Sequence, residues 1–364
     1  MPNFAFLLCV ALAAWPMFRC GPELQGVAEG GLADALELRW TFQAGKAVKS
    51  SAAIAGGRVF VGCDDGRLCA LDAGSGKQLW EFKTGDGVES SPLVLGGVVY
   101  VGSNDGNLYA LDAENGALKW SYKTEGKITG GPNWFRSPGA KAPRIIVGSH
   151  DFKVHCVDAA TGTGVWVFET SNYVNGTPAV ADGRIVFGGC DGILHMIAAD
   201  TGKEQAAVEA GAYIPGSPAV ADGRAYVAHY GGEILCVDLK SPGVVWRSKQ
   251  PNAQFFSSPA VTDRSVIIGG RNKRVYCFDR ATGKVCWTSA TEGDVDSSPA
   301  VCGDKVVFGS QDGKLQIVRL DTGKPVWSYE TGKELAASPA VADGLVVIGS
   351  EDGNVYAFGA KKDR

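Results

Sequence analysis

The sequence predicts an all-β fold, an eight-bladed β-propeller of four-stranded antiparallel blades closed by its own N-terminal strand. Three observations predict it. A Trp recurs about every forty residues, a Pro recurs with the same period, and each period holds four short strand-like runs separated by turn residues. The tryptophans are Trp40, Trp80, Trp120, Trp166, Trp246, Trp287 and Trp327. The gap after Trp166 is two periods with Ala206 at its midpoint, so the spacings are 40, 40, 46, 40, 40, 41 and 40 residues. The second ladder is Pro92, Pro132, Pro178, Pro218, Pro259, Pro299 and Pro339, with Ala52 in the first repeat.

The second repeat shows the unit. Its runs are Ser91 to Leu95, Val98 to Ser103, Leu108 to Asp112 and Leu118 to Tyr122, divided by Gly96-Gly97, Asn104-Asp105-Gly106 and Glu114-Asn115-Gly116. Gly, Asn and Asp supply the positive φ angles of tight hairpins. No segment sustains a helical period, which excludes alternating α/β architectures. The last repeat, Leu335 to Ala360, stops after its third strand, and the missing tryptophan strand stands at the other end of the chain as Leu38 to Phe42. That strand is predicted to complete the eighth blade, so that no long edge is left unpaired. The propeller is expected over residues 37–360, with a leader over 15–36 and a tail over 361–364.

Residues 1–14 read as a signal peptide. An apolar run from Phe4 to Ala14 ends in small residues, although no Lys or Arg precedes it. The run is too short to span a bilayer, and nothing else approaches a membrane span. Cys20 follows Met17-Phe18-Arg19, which is not the small-residue pattern of a lipid-anchor site. These features predict a protein that is periplasmic or otherwise exported, the other reading being a buried or mis-assigned N-terminus. A net charge of −4 provides no basic surface for nucleic acid. The ten cysteines are not spaced as pairs. Cys156, Cys236 and Cys277 take the repeat position of Ala70, Ala110 and Ala357, and Cys63 and Cys190 share another, which is how a small buried hydrophobe is used. No Cys/His cluster suggests zinc.

The run Ala110-Leu111-Asp112-Ala113-Glu114-Asn115-Gly116-Ala117-Leu118-Lys119-Trp120 recurs as Ala70-Leu71-Asp72 through Gly76-Lys77 to Trp80, and as Cys277-Phe278-Asp279 through Gly283-Lys284 to Trp287. It resembles the tryptophan-docking repeat of the pyrroloquinoline-quinone (PQQ) propeller family, whose members include quinoprotein dehydrogenases and BamB-type outer-membrane assembly lipoproteins. The resemblance covers roughly residues 37–360, and the BamB type is the nearer in size. It implies that each indole stacks on a peptide plane of the neighbouring blade. Ala206 should then leave a poorly packed junction at the fourth blade, which also lacks the repeat aspartate, having Ala198 there.

Ligands of propellers gather where the first strands converge on the central channel. Those strands begin with small pairs such as Ser50-Ser51, Ser90-Ser91 and Gly130-Gly131, and the residues just before them vary: Lys49, Glu89, Thr129, Asn175, Pro215, Phe256, Asp296 and Ala336. Glu89, Asn175 and Asp296, with Lys49, are the candidate cofactor residues, because carboxylate and amide oxygens suit Ca²⁺. The other reading is that they are solvated rim charges. Family marks of catalysis are absent: no two cysteines are adjacent, and the blades are nearly minimal. No catalytic residue is assigned, and no metal or cofactor is expected, with PQQ and calcium as the alternative. A six-residue insertion in the third repeat carries Trp134, Phe135 and Arg136, hot-spot material if exposed and blade packing if folded back. The sequence therefore predicts a non-catalytic, monomeric scaffold for other proteins of the cell envelope. Its alternative is a PQQ-dependent dehydrogenase or a quinone-binding sensor.

Overall fold

The computed structural model describes residues 14–361. The signal segment predicted over 1–14 lies outside the described residues except for Ala14, as does the tail beyond Lys361. Eight sheets form the ring. Blades 1 to 7 cover residues 53–83, 93–123, 133–169, 179–209, 219–249, 260–290 and 300–330. Blade 8 joins 340–360 to the N-terminal strand Leu36–Gln43. That strand runs antiparallel to Asn354–Ala360, with Leu38 opposite Phe358 and Trp40 opposite Ala357, so the chain's two ends close the ring as predicted.

The indoles join each blade to the next. Trp40, Trp80, Trp120, Trp166, Trp246 and Trp287 donate Nε1–H to the main-chain oxygens of Ala73, Ala113, Ala159, Ala199, Arg280 and Leu320, at 2.8–3.2 Å. Each ring lies over a turn glycine of the following blade. Gly116, at φ +75°, shows why that residue is glycine: a Cβ there would sit 2.7 Å from Cε3 of Trp80. Trp327 faces blade 8, where the chain termini replace that turn, and it packs edge-on against Phe358 at 5.5 Å.

Blade 4 breaks the pattern on both sides of its junction. Ala206 replaces the tryptophan, and at the glycine position of blade 5 stands Pro242. The two losses belong together, because a pyrrolidine ring with φ fixed near −65° cannot take the left-handed turn over which an indole lies. A cavity of about 400 Å³ remains, lined by Arg184, Met196, Gln205, Ala206, Leu239, Lys240 and Pro242.

Hydroxyls bind the blades around the axis. Ser51 N–H donates to Ser91 Oγ, Ser338 to Ser51, Ser298 to Ser338, Ser258 to Ser298, Ser217 to Ser258, Thr177 to Ser217 and Gly131 to Thr177, at 2.8–3.2 Å. The relay stops between blades 2 and 3, where Gly131 offers no hydroxyl. The third strands carry another repeated bond, to the Asp of the preceding hairpin. Tyr109 bonds Asp105, Tyr356 bonds Asp352, His155 bonds Asp151 and His195 bonds Asp191. The histidines thus occupy the tyrosine position, as blade residues. Cys156, Cys236 and Cys277 are buried, and burial pushes the thiols of Cys156 and Cys277 up to about 12. The nine described cysteines are all free thiols.

The leader departs most from a plain propeller. It follows the ring on the face where the first strands end, bonding one blade after another. Trp15 exchanges main-chain bonds with Ile54 of blade 1, and Pro16 O accepts from Val94 of blade 2. Pro22 O accepts from Asn133 Nδ2 of blade 3 and Val180 of blade 4. Glu23 O, Gln25 O and Gly26 O accept from Val220, Val261 and Val301 of blades 5, 6 and 7. Val27–Ala28 then pairs in parallel with Val301–Cys302, so blade 7 has five strands where four were predicted. Arg19 is buried beneath this turn with Nη1 donating to Pro299 O, and burial lowers its pKa to about 9. A Cβ on Gly26 would strike its guanidinium at 2.0 Å. Arg19, Cys20 and Leu24 hold positive φ, a strain of about 1–3 kcal/mol each. The bonds to the blades and the burial of Trp15, Met17 and Leu24 offset it.

Two predictions follow from this packing. Trp80→Ala is expected to cost about 3–5 kcal/mol in denaturant unfolding. In a double-mutant cycle at the blade 4–5 junction, Ala206→Trp alone should gain nothing, whereas with Pro242→Gly the pair should couple favourably by about 1 kcal/mol or more. At His195, burial opposes the charged ring, but hydrogen bonds to Asp191 and Glu204 outweigh it and raise the pKa above 6.5. A raised folded-state pKa contributes stability that is complete below the unfolded value and lost as pH climbs through the folded one. His195→Gln should therefore destabilise more at about pH 5.5 than at about pH 8.5, and a pH-independent difference in urea midpoint would contradict this.

Candidate functional site

The opposite face, where the first strands begin, carries the rim. Two loops per blade build it: the one entering the first strand and the one between the second and third. Main-chain bonds hold them together, from Asp64 to Ala47, Asn104 to Gly87, His150 to Lys127, Cys190 to Tyr173, Tyr230 to Tyr213, Arg271 to Gln254, Gln311 to Asp294 and Glu351 to Glu334. The backbone frame is therefore the same in every blade, and only the side chains differ.

They differ by halves. Blades 7, 8, 1 and 2 present Asp294, Asp296, Glu334, Glu351, Asp64 and Glu89, with Lys333, Lys46 and Lys49 in the same loops. Blades 3 to 6 present an aromatic arc. His150 and Phe152 pack on Tyr173 at 4.8 and 5.1 Å, and Tyr213 stacks on Tyr230 at 4.5 Å. Phe256 sets its edge to Tyr230 at 5.8 Å and carries the Arg271 guanidinium 3.4 Å from its ring centre. Phe152 and Tyr173 are 41% and 43% exposed.

Each candidate cofactor residue of the rim is engaged by a neighbour. Glu89 Oε1 accepts from Asn104 at 3.1 Å, and Asn175 Nδ2 donates to Cys190 Sγ at 3.2 Å. Asp296 takes a two-pronged bond from Arg271, 2.8 Å from Nε and 2.7 Å from Nη2, and a third from Gln311 at 3.1 Å. Lys49 pairs with Asp64 at 3.2 Å. Burial works against the Lys49 charge, but Asp64, then Glu89 and Glu351, outweigh it and hold its pKa above the usual value. The Arg271 pKa is raised by its bond to Asp296. Among the described residues, no three His, Cys, Asp or Glu side chains are placed to hold a metal ion.

The channel mouth is small. It encloses about 170 Å³, with Lys49 and Asn175 in its lining together with the small pairs, and with Phe18 of the leader also lining it. Glu89 and Asp296 are outside that lining. Pockets for drug-sized ligands start at about 300 Å³. The mouth lies below that range.

Of the two readings of Trp134, Phe135 and Arg136, exposed cluster or blade packing, the placement of the two aromatics matches the second. Asn133–Phe135 is the first strand of blade 3, and the inserted residues form the turn after it. Phe135 is 9% exposed, Trp134 pairs with Ile145 and packs partly buried against the core, and only Arg136 is solvated, its Nη1 donating to Lys141 O at 3.4 Å. The extra length is absorbed after the aromatics, so Trp134 and Phe135 keep first-strand positions. Sequence reasoning missed the leader's course along the blades and most of the arc. Phe256 was among the variable rim residues. Tyr173 and Tyr213, two positions earlier in their loops, carried the same signal.

Comparison with known proteins bears on this geometry. A family profile described as outer membrane protein assembly factor BamB matches residues 33–142, 125–205 and 190–364. A search of curated proteins found no match. Among solved structures, BamB from Moraxella catarrhalis superposes with a TM-score of 0.77 at 20% identity, over 91% of this chain and 99% of that one. Quinohemoprotein alcohol dehydrogenase from Comamonas testosteroni does so with 0.82 at 15%, over 96% and 81%. A europium-containing methanol dehydrogenase reaches 0.80 at 14%, over 96% and 98%. At these identities the superpositions establish the fold alone. The profile spans nearly the whole ring, and the chain therefore belongs to the family of outer membrane protein assembly factor BamB.

Proposed function

We propose that this protein is a non-catalytic scaffold of the cell envelope that binds other proteins, in outer-membrane protein assembly or a similar task. The aromatic arc of blades 3 to 6 is the observation that carries this reading. Tyr, Phe and Arg side chains that are rigid, partly exposed and mutually stacked are the usual anchors of protein interfaces. The acidic half beside them favours a partner with complementary basic residues and speeds encounter. The apolar N-terminal run and the family's description support export.

The quinone-dependent alternative has less support. The mouth is tight, the rim carboxylates and amide are engaged, and no vicinal cysteines exist to cover a quinone. The dehydrogenases share the ring, but a propeller hosts many functions, and activity follows the site rather than the fold.

A photo-crosslinking amino acid at Tyr213, introduced in the native host, is expected to capture an envelope protein that the same probe at Val245 on the outer blade edge does not. Tyr213→Ala with Tyr230→Ala should then weaken binding of the captured protein about tenfold or more, as loss of hot-spot aromatics does. Equal capture at both positions would overturn the reading. PQQ with Ca²⁺ should leave absorbance unchanged and support no dye-linked alcohol oxidation, and turnover in that assay would establish the alternative instead.

A further inference from the structure

The leader face carries a cavity of about 1000 Å³ between the leader and blades 5, 6 and 7. Val27, Val261, Val301 and Leu320 are among its lining residues. Blade 6 differs from its neighbours along this cavity. The first strand there, Ala260–Val261, is two residues long where the other seven are three. Its turn, Thr262-Asp263-Arg264-Ser265, also lacks the glycine found in the corresponding turns of the other blades.

Among the described residues, no strand pairs with the outer edge of the leader strand that lines this cavity. Val27–Ala28 is the outermost strand of the five-stranded sheet of blade 7. Val301 N–H bonds Gly26 O, and Val27 lies opposite Val301 in the parallel register. In such a ladder the N–H and C=O of Val27 itself point away from blade 7. Val27 also lines the cavity. An unpaired edge of this kind is a template for a further strand.

The charges select what that strand carries. Arg280 is held by Tyr226 at 2.9 Å and Asp222 at 2.7 Å, and Arg319 is held by Asp304 and by Asp34 at 3.0 Å. Those cations are neutralised within the wall. Asp263, Asp321 and Arg264 line the cavity without an ion pair among the described residues, leaving an excess of one negative charge.

We propose that this cleft binds an extended polypeptide segment of a partner, which adds as a strand to the Val27 edge and meets Asp263 and Asp321 with a Lys or Arg set among apolar residues. The proposal rests on the protein-binding reading for its class of ligand, but it uses the face opposite the aromatic arc.

The test uses the full mature chain and three synthetic probes. One is acetyl-Val-Thr-Val-Lys-Val-Arg-amide, the second replaces its two basic residues by Glu and Asp, and the third is the basic peptide with alternate backbone nitrogens methylated. Hydrogen exchange read by mass spectrometry should show the basic probe protecting segments around Val27 and Thr262, and the methylated probe should fail to do so. Asp263→Asn with Asp321→Asn should weaken the basic probe about fivefold, the scale of two exposed ion pairs. Tyr213→Ala should leave probe binding unchanged, so that failure of the arc and failure of the cleft are read separately. Equal binding of the basic and acidic probes, undiminished binding of the methylated one, or no protection at Val27 would overturn the proposal.

Discussion

Closure of the ring is the constraint on which everything else rests. Two interactions hold the blades together: an indole docked on the next blade's turn at six of the eight junctions, and a main-chain N–H donated to the next blade's hydroxyl at seven. Neither works unless every blade has a neighbour at the right angle. The final junction is made by the N-terminal strand, whose Trp40 docks on blade 1 while its backbone pairs with the end of the chain. One strand thus converts a linear array into a cycle, and long-range contacts replace the free edges that an open array would expose.

A ring locked by repeated contacts tolerates isolated defects. Blade 4 has lost its indole and blade 5 its docking glycine, and the relay of hydroxyls lapses at Gly131, yet strand register is kept in all three blades. Each defect removes one junction contact of several, and the neighbours on both sides continue to set the geometry. Backbone uniformity has the complementary effect on the faces: loops held in a common frame can vary their side chains without altering the frame, which is how one rim carries an aromatic half and an acidic half.

The leader gives the two faces different character. It bonds to seven blades in turn around one end of the ring, places Phe18 in the lining of the channel mouth and adds an edge strand to blade 7. The channel is thereby reduced to a shallow mouth, and the larger cavity lies on the leader side. The strain at Arg19, Cys20 and Leu24 is tolerated because the surrounding blades fix the path on every side.

The architecture was legible in the residues because it is periodic: tryptophan, proline and turn glycine recur at one spacing, and a repeat that lacks its last strand at one end of the chain supplies it at the other. Local chemistry of that kind needs no knowledge of distant neighbours. The candidate site was legible only as a set of variable rim positions. Which of them converge, that Glu89, Asn175 and Asp296 are each tied to a neighbour, and that Trp134 and Phe135 lie in a strand were decided in three dimensions. So was the course of the leader, whose partners lie in seven different blades. Those outcomes depend on contacts between residues tens to hundreds of positions apart, and a single chain read in order carries no signal of which such pairs will meet.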